Sequence, residues 1–404
     1  MLYTAVLPSA AVILVASVVY RRLATKIFPL PAPRHSVYWM SAGYSFNLSY
    51  EIHPHFYSRK CEFPSAKVGL VVHGSLSNFK NLPLLFARWS GPLELVLYSE
   101  SSHQISFDTL FAFHALRACV PQFECRTNVH FVFSSATNLT ELSASAGLFW
   151  SQTNTHSWTC DKLTQLLSTG LHSLKRLDNF VSQNGVPYPA NVLRRIGRTY
   201  SVFDYHLVLD MDVIPSTGVF ESSTRLLSQI PAERLDFVAL VLPAFETDLP
   251  CSATSEQFPS TKEEVLDSVA NGHSQPFYQQ INANVQKATN YPKWYRKPAS
   301  VGEKIGYWVD WKFAYEPFVM VRKAAPSYET RFVGYGLNRL SNLCHLHIAG
   351  WNFAVLEQAF VVHCGIKRAL SSTKLSQLAS NQQFYRNVFL PEVLSMYPDS
   401  DRMC

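Results

Sequence analysis

Short apolar runs alternate with amphipathic stretches through the middle of this chain, and this alternation constrains the fold more than any other feature. The runs that predict buried strands are Val68–Val72, Leu93–Tyr98, Val129–Phe133, Tyr205–Leu209 and Phe237–Leu242. The stretches that predict helices are Phe107–Ala118, Cys160–Phe180 and Pro189–Arg198. Strands that are separated by helices typically pair in parallel, so we predict an α/β fold with a mostly parallel central sheet.

The composition argues against a nucleic-acid-binding protein. Of 404 residues, 47% are hydrophobic and 16% are charged, which allows a substantial core and is not typical of a disordered chain. The net charge of +6 comes from Lys and Arg residues scattered along the sequence, and no dense basic run lies beside stacked aromatic residues. We therefore expect no nucleic-acid partner.

The N-terminal segment is apolar enough to enter a membrane. Leu2–Tyr20 contains no charged residue and has about the 20 residues that a bilayer helix needs. We predict a cytoplasmic tip and signal-anchor helix over residues 1–22. The competing interpretation is a cleaved signal peptide, although the basic segment that normally precedes its apolar core is missing.

The signals for the orientation of this anchor conflict. Arg21, Arg22 and Lys26 follow the apolar segment, so the positive-inside rule taken alone places the rest of the chain in the cytoplasm. Glycosylation sequons at Asn47 and Asn138, together with eight cysteines, favour a lumenal body. These two features together outweigh the flanking charges, so we expect both asparagines to be glycosylated.

The segment after the anchor lacks the periodicity of packed elements. Phe28–Arg34 reads FPLPAPR and leads into a polar and aromatic stretch, which predicts an extended stem over residues 23–65. We predict the catalytic-size domain over residues 66–404. Within it, Pro250–Ser300 is rich in Ser, Asn, Gln and Pro, and we interpret it as a long functional loop.

An acidic turn follows the fourth predicted strand. Tyr205–Pro215 reads YHLVLDMDVIP, an apolar strand that ends in Asp210 and Asp212. Side chains alternate along a strand, so both carboxylates can face one side and bind the same hard cation, to which a diphosphate adds further oxygens. Such an ion neutralises the charge that develops on a departing nucleoside diphosphate.

Two other interpretations of this turn stay open. An Asp-x-Asp tripeptide is short and is often an ordinary solvated turn. A phosphohydrolase of the haloacid dehalogenase type also ends a strand in Asp-x-Asp. Its chemistry needs a lysine and a further acidic pair downstream, and the sequence offers no convincing acidic pair.

Several blocks of sequence on both sides of the turn follow one another in a recognisable order. They are ARWSGPLELVLYS (Ala87–Ser99), YPANVLRRIGR (Tyr188–Arg198), LVLDMDVIPSTG (Leu207–Gly218), VLPAFE (Val241–Glu246), TNYPKW (Thr289–Trp294), VDWKFAYEPFVMVRKAAPSYETRFVGYGLNR (Val309–Arg339) and AVLEQAFVVHCGIK (Ala354–Lys367). In this order they resemble glycosyltransferase family 49, whose members include a β-1,4-glucuronyltransferase and the second catalytic domain of the LARGE enzymes. Several motifs in one order are far more specific than any one of them.

The resemblance implies a GT-A fold, a UDP-sugar donor, dependence on Mn²⁺ and inversion at the anomeric carbon. Asp210 and Asp212 match the metal-binding pair of the family, and His363 matches the histidine that completes the coordination. An imidazole can bind manganese alongside carboxylates, and the strand-like segment AFVVH can bring His363 to the same edge of the sheet.

An inverting transfer needs a carboxylate that removes the proton from the acceptor hydroxyl. The candidates, in our order of preference, are Glu329, Asp310, Glu246 and Glu316. Glu329 comes first because it precedes the GYG turn, where the family carries an acidic residue. Each of them is also an ordinary structural carboxylate in the alternative interpretation.

Other residues are candidates for substrate contacts. Asn191 and Arg194 follow Pro189 at a predicted helix start, where backbone donors bind anions, so we predict that they contact the UDP-sugar. Their alternative is an ordinary basic helix face. Trp294 and Tyr291 are expected either to stack on acceptor sugars or to pack as loop anchors.

One departure from the family pattern follows the segment GYGLNR. The family usually carries Glu-Leu there, whereas this chain has His345, Leu346 and His347. An acidic group expected at this point is therefore absent, which leaves room for a different substrate or for loss of activity.

Taken together, these features predict a single-pass type II enzyme of the Golgi membrane with a lumenal catalytic domain. It transfers a sugar, with glucuronic acid favoured, from a UDP donor to a glycan or glycoprotein acceptor such as one ending in xylose, and it uses Mn²⁺ as cofactor. Transfer of N-acetylglucosamine or xylose is an alternative within the class. The alternatives outside it are an inactive glycan-binding relative and the phosphohydrolase considered above.

Overall fold

The computed structural model describes residues 38–42, 48–75, 78, 81–99, 116–117, 119–134, 187–251, 253–298 and 302–404. Asn47, Asn138, the predicted anchor and the predicted helix Cys160–Phe180 lie outside these ranges, as does most of Phe107–Ala118. Every helix within the described ranges is too short or too polar to cross a bilayer. The compact body of the chain spans Val37–Cys404.

The strands in the described ranges are β1 (Tyr38–Ala42), β2 (Leu48–Tyr57), β3 (Val68–Ser75), β4 (Leu93–Ser99), β5 (Thr127–Ser134), β6 (Tyr205–Asp210), β7 (Val213–Pro215), β8 (Val238–Leu242), β9 (Ala244–Thr247), β10 (Ser274–Pro276), β11 (Ile305–Val309), β12 (Phe318–Arg322), β13 (Asn352–Leu356) and β14 (Val361–Cys364). The helices are α1 (Leu82–Arg88), α2 (Phe123–Arg126), α3 (Ala190–Tyr200), α4 (Val219–Gln229), α5 (Lys262–Ala270), α6 (Gln279–Asn282), α7 (Asn284–Lys287), α8 (Tyr291–Tyr295), α9 (Asn338–Ile348), α10 (Ser372–Phe384) and α11 (Leu390–Met396). A 3-10 turn occupies Ala232–Leu235, and a π-helical turn, Tyr385–Phe389, joins α10 to α11.

The five predicted strands are confirmed as β3, β4, β5, β6 and β8. All eight residues of β3 and of β5 are buried, which explains why these strands are visible in the sequence as continuous apolar runs. The predicted helix Pro189–Arg198 corresponds to α3, which has Pro189 at its N-cap. The α/β class is therefore confirmed.

The main sheet is mixed, so the prediction of a mostly parallel sheet is wrong. Its strand order is β1-β2-β5-β4-β3-β6-β12-β8-β13-β11. Parallel pairing joins β5 to β4, β4 to β3, β3 to β6, and β8 to β13, and the other neighbours are antiparallel. Two of the antiparallel pairs arise because β12 returns from a long excursion after β8 and runs antiparallel between β6 and β8. The other antiparallel pairs arise from β1 and β2 at one edge and from β11 at the other.

The sheet also extends into the segment predicted as a stem. β1 pairs with β2, and β2 pairs with β5 at the edge of the parallel core. A disulfide between Cys61 and Cys125 adds a covalent link between the chain after β2 and α2. The folded body therefore includes residues that precede Ala66.

Helix α3 packs closely on the sheet because Gly197 faces it. A Cβ atom at Gly197 would lie 2.2 Å from Cγ1 of Val71 in β3, a distance that real atoms do not reach. The helix can therefore lie against β3 and β4 only with glycine at this position. This contact sets how closely α3 approaches β3 and β4.

A second, four-stranded sheet with the order β10-β9-β14-β7 covers one end of the main sheet. Each of β7, β9 and β14 follows a main-sheet strand after a short connection: β6, β8 and β13, respectively. These three main-sheet strands run in the same direction, so their carboxyl ends meet at one edge. In open α/β sheets, ligands bind at this edge.

Candidate active site

The acidic turn lies between the two sheets. Asp210 is the last residue of β6, Met211 and Asp212 form the turn, and β7 begins at Val213. Met211 is buried, and its amide donates to the carbonyl oxygen of His73 at 3.1 Å. Because the chain turns at Met211, Asp210 and Asp212 do not follow the alternation of a single strand, and they have different partners.

Asp210 is held by two guanidinium groups and a histidine. Its Oδ1 accepts a hydrogen bond from Arg194 Nη2 at 2.9 Å and lies 2.7 Å from His73 Nε2, and its Oδ2 accepts from Arg339 Nη2 at 2.5 Å. Burial alone would raise the pKa of Asp210, but Arg339, Arg194 and the His73 hydrogen bond outweigh it and hold this pKa well below its usual range. Asp210 is therefore an anion at any physiological pH.

The two arginines are themselves fixed by the fold. Arg194, in α3, is buried, and its Nη1 donates to Oδ1 of both Asn191 and Asn338 at 3.0 Å. Arg339, at the start of α9, lies with its guanidinium carbon 3.9 Å from the ring centre of Phe318. Both cations are thus positioned before any ligand binds.

Asp212 faces a different partner, His363 in β14. The Nε2 atom of His363 lies 3.2 Å from Oδ2 of Asp212, and Nδ1 donates to the carbonyl oxygen of Gly365 at 2.8 Å. The Gly365 contact fixes the ring and leaves Nε2 directed at the carboxylate, which is the orientation of a metal-ligating histidine. Burial opposes ionisation of Asp212, but His363 and Lys367 lower its pKa to about 2.

Of the three predicted metal ligands, Asp212 and His363 lie next to each other. A carboxylate oxygen and an imidazole nitrogen 3.2 Å apart can both bind one manganese ion, and diphosphate oxygens would complete its shell. Asp210 instead directs both of its oxygens at arginines and His73. Among the described residues, no cluster of three or more His, Cys, Asp or Glu side chains could hold a metal ion.

A disulfide fixes the chain beside this pair. Cys364, the residue after His363, is bonded to Cys251, and its amide donates to the carbonyl oxygen of Asp212 at 3.0 Å. The Cys251 Sγ atom lies 3.9 Å from the same carbonyl oxygen. The bridge therefore holds together the two segments that present Asp212 and His363.

The first two base candidates are poorly placed for proton abstraction. The carboxylate of Glu329 accepts hydrogen bonds from Nε and Nη2 of Arg331 at 3.0 and 2.8 Å. Burial would raise the pKa of Glu329, but the bonds from Arg331 lower it. Asp310 is exposed beyond the end of β11, where it acts electrostatically on His347.

The other two candidates differ sharply. Glu246 is fully buried, and its oxygens accept from Gln275 Nε2 at 2.6 Å and from the Lys367 amide at 3.2 Å. Glu316 is partly exposed, and no group within the described ranges donates a hydrogen bond to its carboxylate. Burial and Asp210 raise the pKa of Glu316, while the charges of Arg339 and Arg194 partly offset that rise.

Three predicted substrate contacts are buried in the fold. Asn191 is buried and donates to the carbonyl oxygens of Glu329 and Asn338, so it joins α3 to the later blocks. Trp294 is fully buried, with its indole nitrogen donating to the carbonyl oxygen of Leu356 at 3.0 Å. Tyr291 is buried and bonded to the backbone of Ala244. The two aromatic rings are packing anchors and are not exposed to an acceptor.

Sequence reasoning did not identify His73 or Arg339 as site residues. His73 is buried within β3, and its Nδ1 also lies 3.1 Å from the hydroxyl of Tyr188. Burial lowers the pKa of His73, so the ring is neutral and the Asp210 charge is balanced by the arginines. The sequence did contain a signal for each residue. His73 is a histidine that directly follows an apolar run, and Arg339 is the last residue of the block GYGLNR.

The chain is similar to a family of glycosyltransferases and to several curated relatives. The profile of a family described as "Glycosyl-transferase for dystroglycan" matches residues 67–398. A curated relative from Bos taurus, "Beta-1,4-glucuronyltransferase 1", is 31% identical over 337 residues, which cover 83% of this chain and 77% of the relative. "Xylosyl- and glucuronyltransferase LARGE1" from Gallus gallus is 30% identical over 206 residues, which cover 51% of this chain and 25% of the relative.

Solved structures with lower similarity also match. The crystal structure of S. aureus TarS 1-349 in complex with UDP-GlcNAc aligns with a TM-score of 0.40 and 10% identity, over 83% of this chain and 68% of that one. The structure of GalNAc-T7 with UDP, GalNAc and Mn²⁺ aligns with a TM-score of 0.39 and 8% identity, over 85% and 52% of the two chains.

Proposed function

Because the chain belongs to the family of glycosyl-transferases for dystroglycan and is itself a glycosyltransferase, we propose that it transfers glucuronic acid from UDP-glucuronate to a glycan acceptor by a metal-dependent, inverting reaction on a GT-A-type fold. Family membership removes the phosphohydrolase alternative. Glucuronate as the donor sugar is inferred from the β-1,4-glucuronyltransferase that is 31% identical. Xylose as the acceptor end is inferred from the family resemblance and from the xylosyl- and glucuronyltransferase LARGE1.

The pair of Asp212 and His363 is the observation that carries this proposal. A Mn²⁺ ion bound there would act as a Lewis acid on the leaving nucleoside diphosphate. Asp212 is ionised at neutral pH, since its pKa lies at about 2, so its carboxylate is a ligand without prior loss of a proton. His363 is already oriented by Gly365, so little side-chain freedom is lost on binding.

Lys367 is the cation that we propose for binding the diphosphate of the donor, in place of Arg194 and Arg339. Arg194 and Arg339 are both paired with Asp210. Lys367 lies close enough to Asp212 to lower its pKa, and its ammonium forms no ion pair with the described part of the chain. We assign it to a diphosphate oxygen of the donor, where an ammonium binds as a point charge.

We further propose a type II orientation in the Golgi membrane, with the catalytic domain in the lumen. The apolar segment Leu2–Tyr20 supports an anchor. The disulfides Cys61–Cys125, Cys251–Cys364 and Cys344–Cys404 support an oxidising compartment. Digestion of the protein with an endoglycosidase tests this placement at Asn47 and Asn138, since a cytoplasmic body would carry no glycan.

Release of UDP from a panel of UDP-sugars tests the function. The expected result is turnover with UDP-glucuronate and a xyloside acceptor that needs added Mn²⁺ and is abolished by Asp212→Asn. Asp236→Asn is a matched control, because Asp236 pairs with Arg322 at the protein surface. Turnover that persists in a chelator, or that survives Asp212→Asn, would contradict the proposal. A folded protein that binds glycan but turns over no donor would favour the inactive relative.

A further inference from the structure

The start of β12 lies beside the acidic turn. β12 is antiparallel to β6, and its register pairs Met320 with Leu207 and Arg322 with Tyr205. Toward its N-terminal end β12 runs in the direction of the carboxyl end of β6, and the Asp210 charge acts on the Glu316 carboxylate. Glu316 is therefore carried to the carboxyl end of β6 by the antiparallel direction of β12.

The backbone of Glu316 is held on both sides. Its amide donates to the carbonyl oxygen of Val285 at 2.9 Å, and its carbonyl oxygen accepts from Nε2 of Gln286 at 3.0 Å. Phe318, two residues later, lies under the guanidinium of Arg339. The position of the carboxylate is thus set by β12 and α7, while the carboxylate itself receives no hydrogen bond from the described residues.

A pair of tyrosine hydroxyls lies within electrostatic reach of the same carboxylate. The hydroxyl groups of Tyr278 and Tyr335 lie 2.9 Å apart, and burial raises the pKa of both, with a smaller contribution from the Glu316 charge. Tyr278 has a φ of 66°, which is unfavourable for a bulky residue and common at functional sites.

Two glycines hold Tyr335 in place. Gly334 and Gly336 flank it with φ angles of 71° and 91°, and a Cβ atom at either would meet α10, at Gln377 or Leu378. The tyrosine ring is therefore presented by a turn that other residues would strain.

Chemistry separates Glu316 from its rivals. A general base must be ionisable near the working pH and free to accept a proton. Glu329 is paired with Arg331, and both oxygens of Glu246 accept hydrogen bonds, from Gln275 and from the Lys367 amide. Burial raises the pKa of Glu316, which makes its carboxylate a stronger base than an ordinary glutamate.

We propose that Glu316 is the catalytic base and that Tyr278 and Tyr335 position the acceptor hydroxyl against it. This inference rests on the proposed function. The Glu316 carboxylate takes the proton of the acceptor hydroxyl while that oxygen bonds to the anomeric carbon of the donor. The bond from the anomeric carbon to the phosphate oxygen breaks, and its electron pair leaves with UDP. Atoms and charge balance with no further reactant.

The test compares Glu316→Gln, Glu316→Asp and Glu329→Gln in the full chain, with UDP-glucuronate and a xyloside as substrates. Glu316→Gln removes the basic oxygen but keeps the shape, so kcat should fall by about 100-fold or more, since a general base contributes 10²–10⁴-fold. The KM for the donor and the thermal shift caused by UDP with Mn²⁺ should stay as in the wild type. Glu316→Asp keeps a carboxylate and should recover part of kcat. Glu329→Gln should keep kcat.

The outcomes separate this inference from the proposed function. A Glu316→Gln protein that binds UDP with Mn²⁺ and turns over at the wild-type rate overturns the base assignment and leaves the function standing. A Glu329→Gln protein that binds UDP with Mn²⁺ but no longer turns over also overturns the assignment of Glu316 as the base. If the wild-type protein itself transfers no sugar from any UDP donor, both the function and the base assignment are overturned.

Discussion

The disulfide Cys251–Cys364 should stabilise the fold and also the proposed cation-binding pair of Asp212 and His363, and these two effects can be separated. The perturbation is the double change Cys251→Ser with Cys364→Ser. The bridge closes a loop with a sequence separation of 113, for which chain entropy predicts a loss of about 4.8 kcal/mol in the free energy of unfolding when it is removed. A loss of that size is a large part of the stability of an ordinary domain.

The disulfide Cys61–Cys125 offers a matched control. Its separation of 64 predicts a loss of about 4.3 kcal/mol, so removal by serine substitution should lower stability almost equally. This bridge links the chain after β2 to α2, whereas Cys364 is next to His363 and donates its amide to Asp212. Removal of groups that orient metal ligands typically weakens metal affinity by about 10–100-fold. We expect that loss in the first variant and not in the control.

The assay has two readouts. Urea unfolding followed by tryptophan fluorescence gives the free energy of unfolding, and calorimetric titration with Mn²⁺ in the presence of UDP gives the affinity. The reasoning is refuted if the variant without Cys251–Cys364 binds Mn²⁺ and UDP as tightly as the wild type. It is also refuted if the control loses affinity to the same extent, because the loss would then follow global stability and not the position of the bridge.

Three further predictions concern charge and packing. Burial would raise the pKa of Glu329, but hydrogen bonds from Arg331 lower it below the usual 4.5. The ionised Glu329 therefore stabilises the fold above pH 4.5, and this stabilisation is lost as the pH falls through the lowered pKa. The unfolding curves of Glu329→Gln and of the wild type should differ at pH 7 and converge in acid. Gly197→Ala places a methyl group against Val71 and should cost about 1–3 kcal/mol by thermal unfolding. Arg194→Met leaves the Asp210 charge with one guanidinium fewer and should cost about 3 kcal/mol by urea unfolding, while Mn²⁺ still binds.

The parallel core was predictable because burial on both faces leaves a simple trace in the sequence. β3 and β5 are buried along their whole length, and apolar residues fill most positions of Val68–Val72 and Val129–Phe133 within them. The direction of a strand leaves no such trace. Phe318–Arg322 has the same apolar character whether it runs parallel or antiparallel to β6, and only the path of the preceding chain decides.

The antiparallel direction of β12 relative to β6 determines which residues lie at the site. In a parallel arrangement, the residues before β12 would lie at the opposite edge of the sheet, far from the acidic turn, and Glu316 would be the least attractive of the four candidate bases. In the antiparallel sheet they lie beside the end of β6. The order of preference drawn from the sequence placed Glu316 last because it used distance from a motif along the chain, whereas proximity in space determines which carboxylate can reach a substrate.

The acidic turn shows the same limit on a smaller scale. Alternation along a strand would give Asp210 and Asp212 one common ligand, but the chain turns at Met211 and divides them between the two sheets. Asp210 then pairs with arginines that lie 16 and 129 residues away in sequence, which no local pattern encodes. The consequence is a division of labour: Asp210 fixes α3 and α9 against the sheet, and Asp212 keeps its charge available beside His363. Substitution of either carboxylate should abolish transfer, but by different routes. Loss of Asp210 leaves two buried guanidinium groups without their ion-pair partner, whereas loss of Asp212 should leave the fold intact and remove a ligand of the proposed cation.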